Sequence, residues 1–290
     1  MSYTNDVAAL NPQNWADMVQ ENLYKELVAL DVCDTKLKKN LGNGTQVHFP
    51  MFGALTTTAY VKGADVTVQA LDSTDEYLTV DQLWESSFYL DMVDKKQNLY
   101  SSMENGVKEA TYAIRSKVET LVFAQVLNAA DTFDAGDSGM AGSSGSAIAL
   151  TTTNVFTAFS RAKAKLAKAG VRTNDMIAVV TSDVAAVIGE KALATGFNLA
   201  EATFKRGYAG DFNGVKIYVS DFLDITTDSR THCYFGAGKQ ISLAMQIEPT
   251  TQIDNDPLKF GKIVKMLEVF GVKVFGKASL KFLDMQFTVA

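Results

Sequence analysis

One stretch of about 35 residues, 94–128, contains no proline and a single glycine. Apolar residues recur along it at steps of three and four, the spacing of a helix that is buried along one face. They are Leu99, Met103, Val107, Ala110, Ile114, Val118, Leu121, Val122 and Val126. A straight helix of this length would be roughly 50 Å long at ~1.5 Å per residue, longer than the diameter of many small domains. The sequence therefore predicts a protein that reaches outward to neighbours and disfavours a compact enzyme built around a pocket.

The tract before this helix, residues 44–90, is rich in β-forming residues. Apolar and polar residues alternate from Leu78 to Leu90, which is typical of a strand with one buried face. Thr56–Val61 and Val66–Val68 also have extended character, and Lys62-Gly63 between them predicts a turn. We interpret 44–90 as an extended hairpin arm.

Composition narrows the class of protein. A chain of 290 residues exceeds a typical single core, so two domains or one large irregular domain are expected. The formal charge of −6 disfavours a protein that coats nucleic acid, since such proteins are normally basic. Cys33 and Cys233 lie 200 positions apart, which favours two reduced, buried thiols over a disulfide or a metal motif. The chain begins without a signal peptide and has no apolar run of ~18 residues, so we expect a soluble intracellular protein.

The flanking segments complete the predicted organisation. In the N-terminal arm, Asn14 could cap a short helix whose apolar residues must pack on another surface. The Gly/Ser-rich segment 134–146 is compatible with a flexible linker. Beyond it, a helix over 153–169, capped by Thr153 or Asn154 and ended by Gly170, leads into an α/β lobe. The lobe continues with a strand at 176–181, a helix at 184–193 and a strand at 214–219. The alternating tail, 263–289, is predicted to return and pair near the long helix.

The sequence offers no recognisable catalytic motif. Its two histidines, His48 and His232, lie outside any GxSxG, HExxH, CxxC or DxDxDG pattern. The segment 236–240 departs from a phosphate-binding loop at two positions. The acidic residues of 72–76 are better explained as a solvated hairpin end than as a cation site. The basic residues of 161–168 favour a solvated helix face over an anion-binding surface. We therefore predict no enzymatic activity, no catalytic residue, no cofactor and no metal.

Three segments, taken in order, resemble a known family. The first is Leu41–Pro50, LGNGTQVHFP. The second runs from Leu78 through DMVDKKQ into the long helix, with Glu119 where an acidic residue commonly lies. The third is Gly207–Leu223, GYAGDFNGVKIYVSDFL. Together with the order of the predicted elements, they resemble the major capsid proteins of tailed bacteriophages with the Hong Kong 97-type fold.

The resemblance implies an α+β fold with named parts. These are an N-terminal arm at 1–43, a hairpin E-loop at 44–92, a P-domain with its spine helix at 93–150, an α/β A-domain at 151–245, and returning P-domain strands at 246–290. It also implies contacts between subunits, for which the candidates are Trp15, Leu23, Leu27, Tyr60, Lys62, Val66 and Val68. Some relatives form a covalent cross-link through a lysine, and Lys62 is the only lysine on the hairpin arm, but no partner for it can be assigned.

The implied function is mechanical. Copies of the chain would form hexamers and pentamers of a closed icosahedral shell around packaged double-stranded DNA, without sequence-specific DNA binding or contact with a membrane. A portal and a separate scaffolding protein are the implied partners, with assembly in the host cytoplasm and a final location in the virion. Two alternatives stay open: an encapsulin-like protein compartment of the same fold, and a nucleotide-binding α/β enzyme centred on 150–245.

Overall fold

The structure, a computed structural model, describes residues 24–25, 27–37, 44–97, 102–195, 208–223 and 228–289. Within these residues the chain forms six α-helices and twelve β-strands. The helices are α1 (Ala29–Val32), α2 (Met92–Gln97), α3 (Ser102–Ala124), α4 (Val155–Lys168), α5 (Ser182–Thr195) and α6 (Gly276–Ser279). The first strands are β1 (Gln46–Phe52), β2 (Ser73–Thr79), β3 (Gln82–Asp91), β4 (Asp131–Phe133), β5 (Ile148–Leu150) and β6 (Met176–Val180). The others are β7 (Tyr208–Phe212), β8 (Val215–Val219), β9 (Thr231–Ala237), β10 (Ile241–Asn255), β11 (Gly261–Val274) and β12 (Phe282–Val289).

The predicted long helix corresponds to α2 and α3, followed by a 3-10 turn at Gln125–Asn128. Its predicted buried face is confirmed along α3, where Ala110, Ile114, Val118 and Val122 are all buried. Ile114 is only 3% exposed and packs in a small cluster that includes Met266 of β11. Leu99 lies outside the described residues. None of the described helices has the length and apolar character needed to cross a membrane.

The hairpin arm is shorter than predicted. Strands β1 and β2 pair antiparallel from Gln46↔Thr79 to Phe52↔Ser73. Beyond this ladder, the segments predicted to be extended form no strand, and residues 53–72 make a long loop. The side chain of Gln69 bridges this loop through two hydrogen bonds to the backbone of Thr56. At the tip, the predicted turn is confirmed by Gly63, whose φ is +84°.

Strand β3, the last part of the predicted hairpin, lies outside the arm. It pairs antiparallel with β11 in a three-stranded sheet of order β10-β11-β3, with Phe88 opposite Val264. The alternation of apolar residues was predicted correctly, but alternation alone cannot identify the partner strand. The pairing of β11 next to α3 agrees with the predicted return of the tail toward the long helix.

A seven-stranded mixed sheet forms the other lobe. Its order is β4-β12-β9-β6-β8-β7, and β5 pairs with the other end of β12. Strand β6 lies inside the sheet and is buried at all five of its residues. Met176, Ala178 and Val180 join one core cluster, while Ile177 and Val179 join the cluster on the opposite face. Because both faces of β6 are covered, its sequence is continuously apolar instead of alternating.

Two predictions about loops and caps are wrong. The Gly/Ser segment is a closed loop instead of an open linker, because Asp134 accepts hydrogen bonds from Gly136 N and Gly145 N, at 2.8 and 2.6 Å. Asn154 precedes α4, but its side chain makes no capping hydrogen bond to the helix and accepts one from Thr151 N instead. The predicted end of α4 is confirmed, since Gly170 has a φ of +84°.

The tail 246–290 contributes to both large structural units. Strand β11 and the end of β10 belong to the three-stranded sheet, whereas β12 pairs with β9 in the seven-stranded sheet. At the other end of the chain, Val28 and Ala29 are fully buried against α3. The described part of segment 1–43 therefore packs on the body of its own chain. The domain boundaries at 43, 92, 150 and 245 remain predictions.

Candidate functional site

The loop end of the arm carries a set of exposed apolar side chains, which we call the arm patch. Its members are Phe52, Leu55, Tyr60, Val61, Val66, Val68 and Leu71. Tyr60 and Val66 are each 74% exposed and Val68 is 89% exposed. Four predicted contact residues, Tyr60, Lys62, Val66 and Val68, lie on this arm. Large exposed apolar patches are a common feature of surfaces that contact other macromolecules. The contact roles of these four residues stay predictions.

The predicted contact residues of the N-terminal segment have a different environment. Leu27 is half-buried, and Trp15 and Leu23 lie outside the described residues. Just after Leu27, the backbone N–H of Ala29 donates a hydrogen bond of 2.7 Å to the Glu119 carboxylate on α3. Burial raises the pKa of Glu119 to about 7. This carboxylate fixes the start of α1 to the long helix.

A second exposed apolar surface was missed by the sequence analysis. It surrounds the β10–β11 turn, and we call it the turn patch: Tyr89, Met92, Val93, Ile253, Leu258 and Phe260. Leu258 is 92% exposed and Phe260 is 86% exposed. The backbone N–H of Met92 donates to the carbonyl of Phe260 at 3.0 Å, which joins the turn to the start of α2. The sequence signal was the presence of a leucine and a phenylalanine inside the turn segment 256–261, where polar residues are usual.

The groups considered for chemistry have structural partners. His232 is buried between Asp284 and Asp228, at 2.8 and 3.1 Å, and the hydrogen bond to Asp284 raises its pKa. His48 is half-exposed on the arm and lies 2.6 Å from Asp75. Both cysteines are buried, and burial raises the pKa of their thiols, which disfavours the reactive thiolate. The described residues include no group of three or more acidic, histidine or cysteine side chains that could hold a metal ion.

The basic face of α4 was predicted to be solvated, but two of its lysines contact other segments of the lobe. Lys165 forms ion pairs of 3.1 Å with Asp131 and 2.9 Å with Asp137, and its ammonium also donates to the carbonyl of Thr132. The neighbouring Lys163 donates to the carbonyl of Asn213. Both lysines therefore join α4 to adjacent segments of its own lobe.

Comparison with known proteins gives a match of structure without a match of sequence. No protein-family model matches the chain, and no curated protein sequence matches it. A structure from Mycobacterium phage Che8 is 20% identical, with a TM-score of 0.78 over 98% of both chains. A capsid structure of the cyanophage P-SCSP1u is 14% identical, with a TM-score of 0.70 over 99% of this chain and 95% of that one. The capsid of Ralstonia phage GP4 is 10% identical, with a TM-score of 0.69 over 100% of this chain and 98% of that one.

This chain has the fold of phage capsid proteins. The predicted α+β class and the predicted resemblance to phage capsid proteins are thereby confirmed. The tailed-phage and Hong Kong 97 assignments stay predictions. The capsid structures match nearly the whole chain, including both sheets and the arm, so the likeness extends well beyond the α/β lobe of 150–245. At such low identities the likeness establishes the fold alone.

Proposed function

We propose that this chain is the major capsid protein of a tailed phage, of the Hong Kong 97 type. Many copies would self-assemble into an icosahedral shell of hexamers and pentamers that encloses the packaged double-stranded DNA genome. The observation that carries the proposal is the near-complete two-way coverage between this chain and phage capsid structures. A phage shell protein has no need of a catalytic centre, and its function lies in the surfaces that it offers to other copies.

The arm patch supports assembly on physical grounds. Within the described residues, the loop of the arm is held by the β1–β2 ladder and by a few cross-loop hydrogen bonds. A two-stranded hairpin is at best marginally stable alone in water. Its exposed apolar side chains would become buried if the arm lay across an adjacent subunit. Obligate interfaces of this kind often exceed ~2,000 Å².

The net charge of the chain is consistent with a shell that encloses DNA without binding the DNA tightly. A formal charge of −6 for each subunit would, on balance, repel the phosphate backbone. In the proposed phage the genome would be loaded by a motor against this repulsion. A portal and a separate scaffolding protein are the partners that we propose, with assembly in the host cytoplasm.

The alternative that shares this fold is an encapsulin-like compartment, whose shell would hold a protein cargo in place of a genome. An alternative from another class is a nucleotide-binding enzyme centred on 150–245. The buried Cys233 and the paired His232 in that lobe do not favour the enzyme.

Electron microscopy of the purified full-length chain tests the proposal. We expect closed particles of uniform diameter in negative stain, and a matching fast boundary in sedimentation velocity. Nuclease-resistant DNA inside particles recovered from infected cells would support the phage shell, whereas a co-purified protein cargo without DNA would favour the compartment. A stable monomer that binds a nucleotide tightly would contradict both shell functions.

A further inference from the structure

A cleft of about 440 Å³ lies between α3, strands β10 and β11, and the N-terminal segment. Three carboxylates line it, from Glu119 on α3, Glu248 on β10 and Glu268 on β11. Apolar side chains, including Leu30 and Met245, form much of the remaining wall. The cleft therefore combines negative charge with apolar surface, and it lies outside the arm patch and the turn patch.

Two of these carboxylates are buried, and one oxygen of each has no hydrogen-bond partner among the described residues. Glu119 is 3% exposed and Glu268 is 2% exposed. In each, Oε2 has no hydrogen-bond partner in the described part of the chain, although Oε1 of Glu119 accepts the hydrogen bond from Ala29. A buried carboxylate without a partner is unfavourable, so such a group either takes up a proton or receives a cation. In agreement with the first state, burial raises the pKa of Glu119 to about 7 and also raises that of Glu268.

The described residues around the cleft do not supply the missing cation. Arg115 is the only basic residue among those that line the cleft, and its side chain forms no ion pair with Glu268 in the described structure, although its charge partly opposes the rise in that pKa. Asp31 and Glu248 are nearby acidic groups and act in the opposite direction, raising the pKa of Glu119 and Glu268 respectively. Residues 1–23, which precede the described N-terminal segment in the sequence, contain no lysine, arginine or histidine.

The chemistry of the lining narrows the class of cation. The described residues provide no cluster of three or more metal-binding side chains, so the oxygen ligands that a divalent ion prefers are not gathered here. An alkylammonium group needs fewer acceptors, and its methylene chain can lie on apolar surface while the charged end meets a carboxylate.

We propose that this cleft binds an alkylammonium group, with the charge received by Glu119 and Glu268 and the methylene chain lying along Leu30 and Met245. The group would belong either to a free aliphatic diamine or to a lysine side chain presented by a neighbouring copy. This site goes beyond the proposed function and does not depend on it. Binding favours the ionised carboxylates, so it releases protons near pH 7.

Calorimetric titration of the unassembled full-length chain with putrescine tests the site. We expect saturable binding that weakens at least tenfold in Glu268→Gln and in Glu119→Gln, each of which keeps the side-chain shape but removes the charge. Glu104→Gln, at an exposed position on the same helix, should bind as the parent does. The binding enthalpy at pH 7 should differ between two buffers of different ionisation enthalpy, as proton release requires.

The same titration on assembled particles separates the two sources. Binding that persists in particles identifies a free diamine as the ligand, whereas binding lost on assembly identifies a lysine of the neighbouring copy. The absence of binding before assembly, or an equal loss in Glu104→Gln, would overturn the site. Putrescine binding that appears in Arg115→Met but not in the parent would also overturn the proposed site. The Arg115 guanidinium would then be the cation that neutralises these carboxylates in the parent. Should Glu119→Gln fail to fold, Glu268→Gln alone decides the outcome.

Discussion

The histidine that sequence patterns left unassigned, His232, lies buried between two carboxylates. Its Nδ1 is 2.8 Å from Asp284 and its Nε2 is 3.1 Å from Asp228. Both ring nitrogens can donate together only in the protonated imidazolium. The hydrogen bond to Asp284 accordingly raises the pKa of His232 above its usual value of 6.5.

This raised pKa predicts a specific pH dependence. Because the folded chain binds the proton more tightly than the unfolded chain, the stabilisation is complete below about pH 6.5 and is lost as the pH rises through the raised pKa. We expect the free energy of unfolding of the parent protein in urea to fall over a pH interval that begins at about pH 6.5. In His232→Gln it should fall less steeply over that interval. Parallel profiles for the two proteins would show that His232 is not the linked group.

Ile114 gives a residue-scale test of the long helix. Ile114→Asp would place a charge in the apolar cluster formed with Ala110 and Met266. Burial of an unpaired charge costs several kcal/mol. We expect insoluble protein or a large loss of thermal stability in the soluble fraction. Ala113→Asp, at the adjacent exposed position, is the control and should remain soluble and folded. Equal behaviour of the two variants would indicate that the buried face of α3 is wrongly assigned.

Two positions of α3, Ile114 and Glu119, show what sequence can and cannot predict at the scale of a residue. The burial of Ile114 followed from spacing, because a helix has one fixed period and its apolar stripe must face the core. The role of Glu119 did not follow, because its partner is a backbone N–H about ninety positions earlier, on Ala29. A contact of that kind depends on tertiary packing and leaves no local pattern.

At the scale of elements, the base of the arm, formed by the paired strands β1 and β2, packs on β11 and α6. Gly271 is the closest point, since a Cβ added there would lie 2.2 Å from the carbonyl oxygen of Thr79. Around it, Lys273 donates to the carbonyl of Tyr77 at 2.7 Å, and Lys277 donates to the carbonyl of Phe52, also at 2.7 Å. The arm base is therefore fixed by contacts to its backbone from residues far along the chain, which sequence alternation cannot reveal.

Gly271→Ala should disturb the packing of the arm base on β11. The methyl group would collide with backbone, which cannot move as a flexible side chain can, and we expect a loss of about 1–3 kcal/mol in the free energy of unfolding. Limited proteolysis should also cut the arm sooner than in the parent. Gly189→Ala is the matched control, because nothing lies within 4 Å of its added Cβ. In helix α5 this change should be neutral or stabilising by up to about 1 kcal/mol. A Gly271→Ala protein as stable as the parent would mean that β2 and β11 are not in close contact.

At the scale of the whole molecule, the lobes and the loop of the arm differ in what holds them. The large sheet is buried on both faces, and Leu78 at the arm base is fully buried. The loop 53–72, in contrast, presents most of its apolar side chains to solvent. Sequence alternation predicted the existence of the arm, but only the structure locates its boundary with the core, which falls between Asp72 and Leu78. A deletion meant to remove the arm must therefore stop before β2.

The last prediction separates assembly from folding. Replacement of residues 54–71 by a short Gly/Ser turn keeps the β1–β2 ladder and Leu78, so thermal unfolding should stay close to that of the parent. Sedimentation velocity should nevertheless show monomers or small oligomers where the parent forms large particles, because the apolar surface that neighbours would cover is gone. A full-length variant with Tyr60, Val66 and Val68 each changed to Ser should assemble poorly for the same reason. Its matched control, Thr57→Ser with Thr58→Ser, alters exposed polar residues of the same loop and should assemble as the parent does. Full-sized shells from the shortened chain would show that the arm does not clasp the neighbouring subunit, and the proposed capsid function would then lose its main physical support.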